Sequence, residues 1–254
     1  MIIIVYMFII GAVLGSFYMV VGDRLPNNES IVVPRSHCSK CNHILSWYEL
    51  IPIVSYIIQR GKCKNCHTKL SISYMLIEIL SGTLFALSYY LYGFNYEFFM
   101  SIIISSLLII IYVSDFKYLI INDEPLIIAI TLSIITNFVF LGTIKGLYLI
   151  ISGLVMFIFM YLVKLFGDKA FKRESLGGGD IKLAFFIGCT LGLRLAFVSL
   201  IIASFLALPY ASYYVVKKQE REIPFGPFLV TGVLITFMLS NQIRFVLELI
   251  MLAA

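Results

Sequence analysis

Residues 176–183 read Leu-Gly-Gly-Gly-Asp-Ile-Lys-Leu, a glycine-rich turn that places the carboxylate of Asp180 at the start of an apolar segment. Moving a charge to the centre of a bilayer costs about 2.5–3.5 kcal/mol on insertion scales, so an acid at the edge of an apolar span is a functional candidate. A second acid, Asp115, follows another apolar segment. The two carboxylates are therefore candidates for one catalytic pair.

The composition is that of a membrane protein. Of the 254 residues, 61% are hydrophobic and only 13% are charged, a larger hydrophobic share than soluble domains have. Apolar runs of about 20 residues, the length that crosses ~30 Å of hydrocarbon, recur along the chain. The first run lacks a basic start and a cleavage pattern, and is expected to be retained. The runs predict an all-α polytopic membrane protein with about eight transmembrane helices, near residues 2–21, 72–92, 97–114, 124–142, 145–166, 180–192, 194–216 and 227–250.

Basic residues in the connections predict the orientation of these helices. Alternate connections hold 14 and 2 Lys and Arg residues, and basic loops remain in the cytoplasm. Both termini are then predicted to lie outside the cell, and Asp115 and Asp180 to lie at the same, cytoplasmic, face of the membrane. The alternative is that each aspartate simply ends a helix. These loops account for the net charge of +5, and no aromatic-studded soluble surface indicates a nucleic-acid partner.

The only sizeable polar stretch, residues 22–71, is predicted to be a small metal-binding insertion. It contains Cys38-x-x-Cys41 and Cys63-x-x-Cys66, separated by 21 residues, a pattern typical of a structural four-thiolate zinc site. Free thiols or two disulfides are the alternatives, and the predicted cytoplasmic side argues against disulfides. The chain is thus divided into a first transmembrane helix (1–21), the four-cysteine insertion (22–71) and a seven-helix membrane domain carrying both aspartates (72–254).

Two carboxyl groups around one water are what an aspartyl protease needs. One carboxylate takes a proton from the water while a protonated partner polarises the scissile carbonyl, and like charges at about 3 Å cannot both ionise easily. The glycines before Asp180 permit unusual dihedrals and close approach of a substrate backbone. A phosphate site is disfavoured because no Gly-Lys-Ser/Thr follows. The alternative class is an ion or proton transporter with a zinc-ribbon insertion, which would require acids near mid-span.

Further motifs are spread along almost the whole chain. They are Gly15-Ser16-Phe17 with Arg24-Leu25-Pro26, the two cysteine pairs, Tyr74 and Glu78, Asp115, Gly177 to Leu183, and Pro224-Phe225-Gly226-Pro227. Together these motifs resemble the prepilin peptidases, the GxGD-type intramembrane aspartyl proteases of type IV pilus, type II secretion and competence systems. A presenilin-type protease shares GxGD but would carry a Pro-Ala-Leu motif and no cysteine pairs. One departure from the family is Ile121-Asn122-Asp123-Glu124-Pro125, where Ile-Pro-Asp is usual.

What the resemblance implies is removal of the short basic leader of prepilin-like proteins at the cytoplasmic face of a prokaryotic plasma membrane. Prepilin-like proteins and membrane lipid are the implied partners. Asp115 and Asp180 would be catalytic. The loops that bind substrate would include Gly177, Gly179, Lys182, Pro224 and Gly226.

The resemblance also implies a second activity. Members with the cysteine insertion are often bifunctional and methylate the new N-terminus with S-adenosylmethionine. Glu78 is a candidate for that reaction, and a structural pairing with Arg24 or Lys182 is the alternative. The other acids of the predicted cytoplasmic side are expected to be solvated loop charges, with attraction of the basic leader as the alternative; they are Asp123, Glu124, Asp168 and Glu174.

Overall fold

The computed structural model of the chain describes residues 1–172, 174–218 and 223–253. Two basic loop residues used to predict the orientation, Arg173 and Arg221, lie outside these ranges. Within them the chain is helical apart from loops and two isolated β-bridges, which confirms the predicted all-α class. Among the described residues, five helices are long and apolar enough to cross a membrane, or six if one bent pair counts as a single span.

The helices form two compact units. The N-terminal unit, Met1–Phe98, contains α1 (Ile2–Arg24), α2 (Val54–Ile58) and α3 (Ser73–Tyr92), with 3₁₀ turns at Leu25–Asn27 and Trp47–Leu50. The C-terminal unit, Phe99–Ala254, contains most of α4 (Tyr96–Tyr118) and then α5 (Asp123–Phe171), α6 (Gly178–Leu191), α7 (Leu193–Lys218), α8 (Gly226–Met238) and α9 (Ser240–Ala253).

In the N-terminal unit, α1 and α3 pack backbone to backbone through small residues. A Cβ on Gly11 would lie 2.7 Å from the carbonyl oxygen of Ser81, and one on Gly15 would lie 2.6 Å from the Ser81 Cβ. Residues four apart share one helix face, and glycine on that face lets membrane helices approach closely. The spacing of Gly11 and Gly15 therefore explains why these two spans pair.

Helix α5 is a hairpin of two helical halves. Gly142 has non-helical dihedrals (φ 80°, ψ 176°) in its middle. On one side of this break the Asn137 side-chain amide donates to the Cys189 carbonyl at 2.9 Å, and on the other side a Cβ on Gly153 would lie 2.6 Å from the Cys189 sulfur. In a straight helix, residues 137 and 153 would be about 24 Å apart, so the chain reverses at Gly142. This reversal coincides with the boundary predicted between two spans at residue 142.

Two of the predicted spans differ from the structure. The sixth, α6, has 14 residues, about 21 Å of helix, which is shorter than the hydrocarbon core; it is instead buried along almost its whole length among its neighbours. The last predicted span, 227–250, was expected to be one helix, but α8 and α9 are bent by 78° at residue 239. The α9 sequence begins Ser-Asn-Gln-Ile-Arg, too polar to continue an apolar span.

Candidate active site and metal centre

The two predicted catalytic aspartates lie at the ends of helices of the C-terminal unit. Asp115 is in the last turn of α4, which continues to Tyr118 and does not end before the aspartate. Asp180 is in the first turn of α6. Both are buried, with 5% and 9% of their surface exposed. Buried carboxyl groups require compensating partners, and the neighbouring residues show what these are.

Gly226 orients the carboxyl group of Asp115. It is the first residue of α8, and its backbone N–H donates to Asp115 Oδ2 at 3.0 Å. The first N–H groups of a helix have no partner within the helix and favour an anion. A Cβ at Gly226 would lie 2.9 Å from the same oxygen, so only glycine allows this approach. The motif Pro224 to Pro227 thus reaches the site through Gly226.

Ile121 joins the two aspartates into one site. A Cβ on Gly179, the residue before Asp180, would lie 2.7 Å from Ile121 Cβ, and a Cβ on Gly226 would lie 2.8 Å from Ile121 Cδ1. The Asp115 and Asp180 carboxyl groups are also close enough to interact electrostatically. Ile121 was not among the predicted site residues, although it begins the Ile121-Asn122-Asp123-Glu124-Pro125 segment.

Asp180 keeps one oxygen without a partner among the described residues. Its Oδ1 is buried and makes no hydrogen bond, while Oδ2 lies 3.2 Å from where a Cβ on Gly177 would be. Gly177 is the N-cap residue of α6. Buried polar groups are nearly always paired, so this oxygen is the atom of the site that remains available to a reacting group.

The loop that precedes Gly177 is hydrogen-bonded to the C-terminal part of α5. The Ser175 N–H and hydroxyl donate to Asp168 Oδ1 at 2.6 and 2.9 Å, and the hydroxyl also reaches the Lys164 carbonyl at 3.3 Å. Glu174 lies 3.7 Å from Lys164 Nζ. Asp168 was expected to be a solvated loop charge; it lies near the end of α5, and these hydrogen bonds tie it to the loop that precedes Asp180.

Lys182 pairs with an acid other than Asp115 and Asp180. Its Nζ lies 2.6 Å from Asp123 Oδ2, and both side chains are about half exposed. Asp123 was expected to be a solvated loop charge, and its side chain is half exposed in this pair. The two residues border a groove of about 330 Å³ whose remaining lining is apolar, including Leu126, Leu154 and Phe157.

The four cysteines of the insertion form one cluster. Their sulfur atoms all lie within 4.8 Å of one another, with 3.8 Å between Cys38 and Cys66 and 3.9 Å between Cys41 and Cys63. A tetrahedral ion with metal–sulfur bonds of about 2.3 Å requires sulfur–sulfur separations near 3.8 Å. The donor set and its spacing therefore fit a four-coordinate metal ion.

The two cysteine pairs share one backbone arrangement. The N–H of Cys38 donates to the His43 carbonyl at 2.9 Å, and the N–H of Cys63 donates to the Thr68 carbonyl at 2.9 Å. Each pair thus closes a tight turn that aims both sulfurs inward. The residue after the second cysteine of each pair has a left-handed φ, namely Asn42 (54°) and His67 (55°).

Glu49 supports the first cysteine turn. Its carboxylate accepts the Ser46 N–H at 2.8 Å and lies 3.2 Å from His43 Nε2. The hydrogen bond from the Ser46 backbone, with the His43 contact, lowers the pKa of the Glu49 carboxyl. Glu49 therefore ties the 3₁₀ turn Trp47–Leu50 to the residues beside the cluster.

Glu78 holds a strained turn. The Ile53 N–H donates to Glu78 Oε2 at 2.7 Å, and the Val54 N–H donates to the Pro52 carbonyl at 2.6 Å. Ile53 has φ 65° and ψ −53°, a γ-turn conformation that is rare for a β-branched residue. Such strain costs about 1–3 kcal/mol and persists only where surrounding contacts impose it.

The pairings expected for a structural Glu78 are not the ones observed. Arg24 donates to the carbonyls of Ser30 and Pro34 at 2.9 and 2.8 Å, and Lys182 contacts Asp123. Glu78 itself is buried. Its observed partners are the backbone N–H of Ile53 and the Ser16 side chain, neither of which is charged, so charge pairing could not predict its interaction with the insertion.

The fold and these two sites define a polytopic membrane protein with a buried aspartate pair and a four-cysteine cluster. Residues 9–92 match the bacterial peptidase A24 N-terminal domain, and residues 102–212 match the type IV leader peptidase family. The chain belongs to this family, which confirms the resemblance found in the sequence.

Curated relatives agree with this assignment. The chain is 30% identical over 241 residues to a "Prepilin leader peptidase/N-methyltransferase" of Bacillus subtilis, covering 93% of this chain and 94% of that protein. A protein of the same name from Vibrio cholerae is 30% identical, covering 90% and 94%. One from Myxococcus xanthus is 34% identical, covering 79% and 59%. No solved structure matches the chain.

Proposed function

We propose that this protein is a prepilin peptidase, an aspartic endopeptidase that removes the short basic leader of prepilin-like proteins. The observation that carries the proposal is the convergence of two buried carboxyl groups, Asp115 and Asp180, around Ile121. The names of the relatives support prepilin-like substrates, and the matched families are peptidases. The alternative, an ion or proton transporter, has no support from the comparisons.

In the proposed mechanism the two carboxyl groups share one proton. The ionised member accepts a proton from a water molecule, and the protonated member donates a hydrogen bond to the scissile carbonyl, so that negative charge developing on its oxygen is stabilised. The Gly226 N–H holds Asp115 in one orientation. The unpartnered Oδ1 of Asp180 is the atom that meets the reacting water. Gly177 and Gly179 belong to the active-site loop, in which Gly179 packs against Ile121, and Lys182 and Pro224 belong to the adjoining substrate-binding surface.

The substitutions Asp115→Asn and Asp180→Asn test the assignment of these two residues as catalytic. Each change removes the acid–base function with almost no change in volume, and leader removal should fall by at least about 10²–10⁴-fold. The matched control is Glu97→Gln, an exposed acid in the first turn of α4, at the other end of the helix that carries Asp115. Co-expression with a prepilin-like substrate separates leader-bearing from processed protein on a gel. Continued processing by either aspartate variant, at wild-type membrane levels, would remove the assignment.

The orientation of the site is part of the proposal. The excess of basic residues in alternate connections supports a prokaryotic plasma membrane protein with the aspartates and the insertion in the cytoplasm. We assign residues 1–21 to a first membrane helix, 22–71 to the insertion and 72–254 to the membrane domain. A membrane-impermeant amine reagent should label Lys62 in inverted vesicles but not in intact cells. The reverse pattern would show that the orientation is wrong.

Zinc is the proposed occupant of the cysteine cluster. Four thiolates at tetrahedral spacing are a structural zinc set, and a short insertion with little core gains folding free energy from the metal. The ion would be held by Cys38, Cys41, Cys63 and Cys66. Metal analysis of protein purified without added metal should find close to one zinc per chain; less than one metal equivalent for every two chains would contradict the site.

N-methylation of the new N-terminus is the second proposed activity, because the relatives' names include it. S-adenosylmethionine would supply the methyl group. The described residues do not include the strand and glycine-rich turn that commonly hold a nucleotide, so no residue set is assigned to this cofactor. Glu78 is proposed to position the turn at Ile53 for this activity. Mass spectrometry of the processed substrate tests it, because a methyl group adds a defined mass.

A further inference from the structure

The insertion presents an exposed apolar surface beside the cysteine cluster. Trp47 is 75% exposed, Ile57 61% and Ile58 75%. Contiguous apolar surface of this kind marks an interaction with a protein or a membrane. We call this the α2 surface, and its members are Trp47, Leu50, Ile51, Val54, Ile57 and Ile58.

One hydrogen bond gives the depth of the α2 surface relative to the membrane. The N–H of Ile53, the residue before α2, donates to Glu78 Oε2. Glu78 lies five residues into α3, about 7.5 Å along the helix axis. Because α3 is one of the helices able to span a membrane, α2 begins beside the part of α3 that enters the bilayer.

The exposed neighbours of Glu78 on α3 are apolar as well. Leu76 is 52% exposed and Ile79 36%, as expected for side chains that face acyl chains. The Ile53 contact therefore places the α2 surface next to lipid-facing side chains. A soluble partner would have to approach at the level where the headgroups lie.

The charge of the insertion favours an anionic surface. Residues 22–71 contain seven Lys and Arg residues against three Asp and Glu residues. Arg60 and Lys62 follow α2 directly, and both are exposed. Lys64 Nζ contacts the Tyr48 hydroxyl at 2.8 Å, next to Trp47. Segments that lie at the surface of anionic membranes typically combine tryptophan and aliphatic residues on one face with basic residues at its edge.

We propose that the α2 surface is a membrane-interface anchor. Trp47, Ile57 and Ile58 enter the boundary between headgroups and acyl chains, and Arg60 and Lys62 contact anionic headgroups. The insertion is joined at both ends to membrane-spanning helices, α1 and α3, so the bilayer is adjacent in every molecule. The anchor holds the cysteine cluster against the membrane surface and goes beyond the proposed peptidase function.

Trp47 is the only tryptophan of the chain, so its fluorescence reports the α2 surface in the unmodified full-length protein. The experiment uses proteoliposomes of phosphatidylcholine and phosphatidylglycerol. Brominated lipid should quench Trp47, and bromine near the ester end of the acyl chain should quench more than bromine near its methyl end, because interfacial side chains enter only about 5–10 Å. Iodide in the aqueous phase should quench Trp47 much less than free tryptophan.

A second probe tests the surface independently of Trp47. In a Trp47→Phe background, Ile58→Trp moves the fluorophore to α2, and the same quenching pattern is expected. Metal content measured on the same samples shows whether the insertion remains folded. The readout does not depend on leader cleavage, so its failure and that of the peptidase proposal are distinguishable.

Two results would contradict the proposal that the α2 surface is a membrane-interface anchor. If iodide quenches Trp47 as strongly as free tryptophan and bromolipid has no effect, the surface faces water. If neither quencher acts, protein covers the surface, as in a complex between two copies of this chain. Quenching by bromolipid with protection from iodide supports the proposal.

Discussion

Replacing two adjacent glycines by alanine gives a direct test of the site geometry. Gly178 and Gly179 both lie in the first turn of α6, so alanine brings the same gain in helix propensity, up to about 1 kcal/mol, at either position. Their surroundings differ. A Cβ on Gly178 meets no atom of the described residues within 4 Å, whereas one on Gly179 lies 2.7 Å from Ile121 Cβ. The pair of variants therefore isolates the contact between Gly179 and Ile121.

The expected magnitude follows from this distance. Ordinary contact begins near 3.4 Å, so in Gly179→Ala either Ile121 or the start of α6 must move by about 0.7 Å. Overpacking of this kind costs about 1–3 kcal/mol, and misplacing a reacting group by about 1 Å can cost 10²-fold in rate. We expect Gly179→Ala to lower kcat/KM for leader cleavage by roughly 10- to 100-fold. Gly178→Ala should retain wild-type activity.

The assay is leader removal from a prepilin-like substrate in proteoliposomes, with equal amounts of each variant. Ile121→Gly removes the opposing side chain, so Gly179→Ala with Ile121→Gly should recover part of the activity lost by Gly179→Ala. Equal loss in Gly178→Ala and Gly179→Ala would refute the reasoning, because the glycines would then serve substrate approach rather than packing on Ile121.

Three further predictions concern the other contacts of the molecule. Cys66→Ser removes one of four thiolates and should abolish stoichiometric metal binding, measured by elemental analysis, with increased proteolysis of the insertion. Glu78→Gln weakens a charge-assisted hydrogen bond of about 1.5–3 kcal/mol; hydrogen exchange at Ile53 should accelerate while leader cleavage persists and methylation falls. Lys182→Met breaks a half-exposed pair with Asp123 that is worth about 0–1 kcal/mol, so thermal stability should change little while KM for the substrate rises.

Each of these has a matched control or a contradicting outcome. Cys189→Ala changes the cysteine outside the cluster and should leave metal content intact. Unchanged hydrogen exchange in Glu78→Gln would show that the γ-turn does not depend on the carboxylate. A loss of several kcal/mol of stability in Lys182→Met, measured by denaturant unfolding, would contradict a surface role for that pair.

Local composition and spacing determined the main features of this protein. Runs of apolar residues form membrane helices irrespective of which helices they pack against. Two Cys-x-x-Cys turns can hold one ion because each turn is a local structure. The predicted span boundaries at residues 142 and 192 both fall at glycines whose φ, 80° and 72°, is unfavourable for other residues. The chain also pointed to Asp115 and Asp180 as acids at the ends of spans.

Only the tertiary structure decided which atoms meet. Three contacts join residues that are distant in the chain or lie in loops, and no sequence periodicity predicts them. Ile121 packs between Gly179 and Gly226, Asp168 accepts hydrogen bonds from Ser175, and the Ile53 N–H donates to Glu78. A sequence pattern records which surfaces are apolar, whereas the partner of each surface and the position of each carboxyl oxygen follow from how the helices pack.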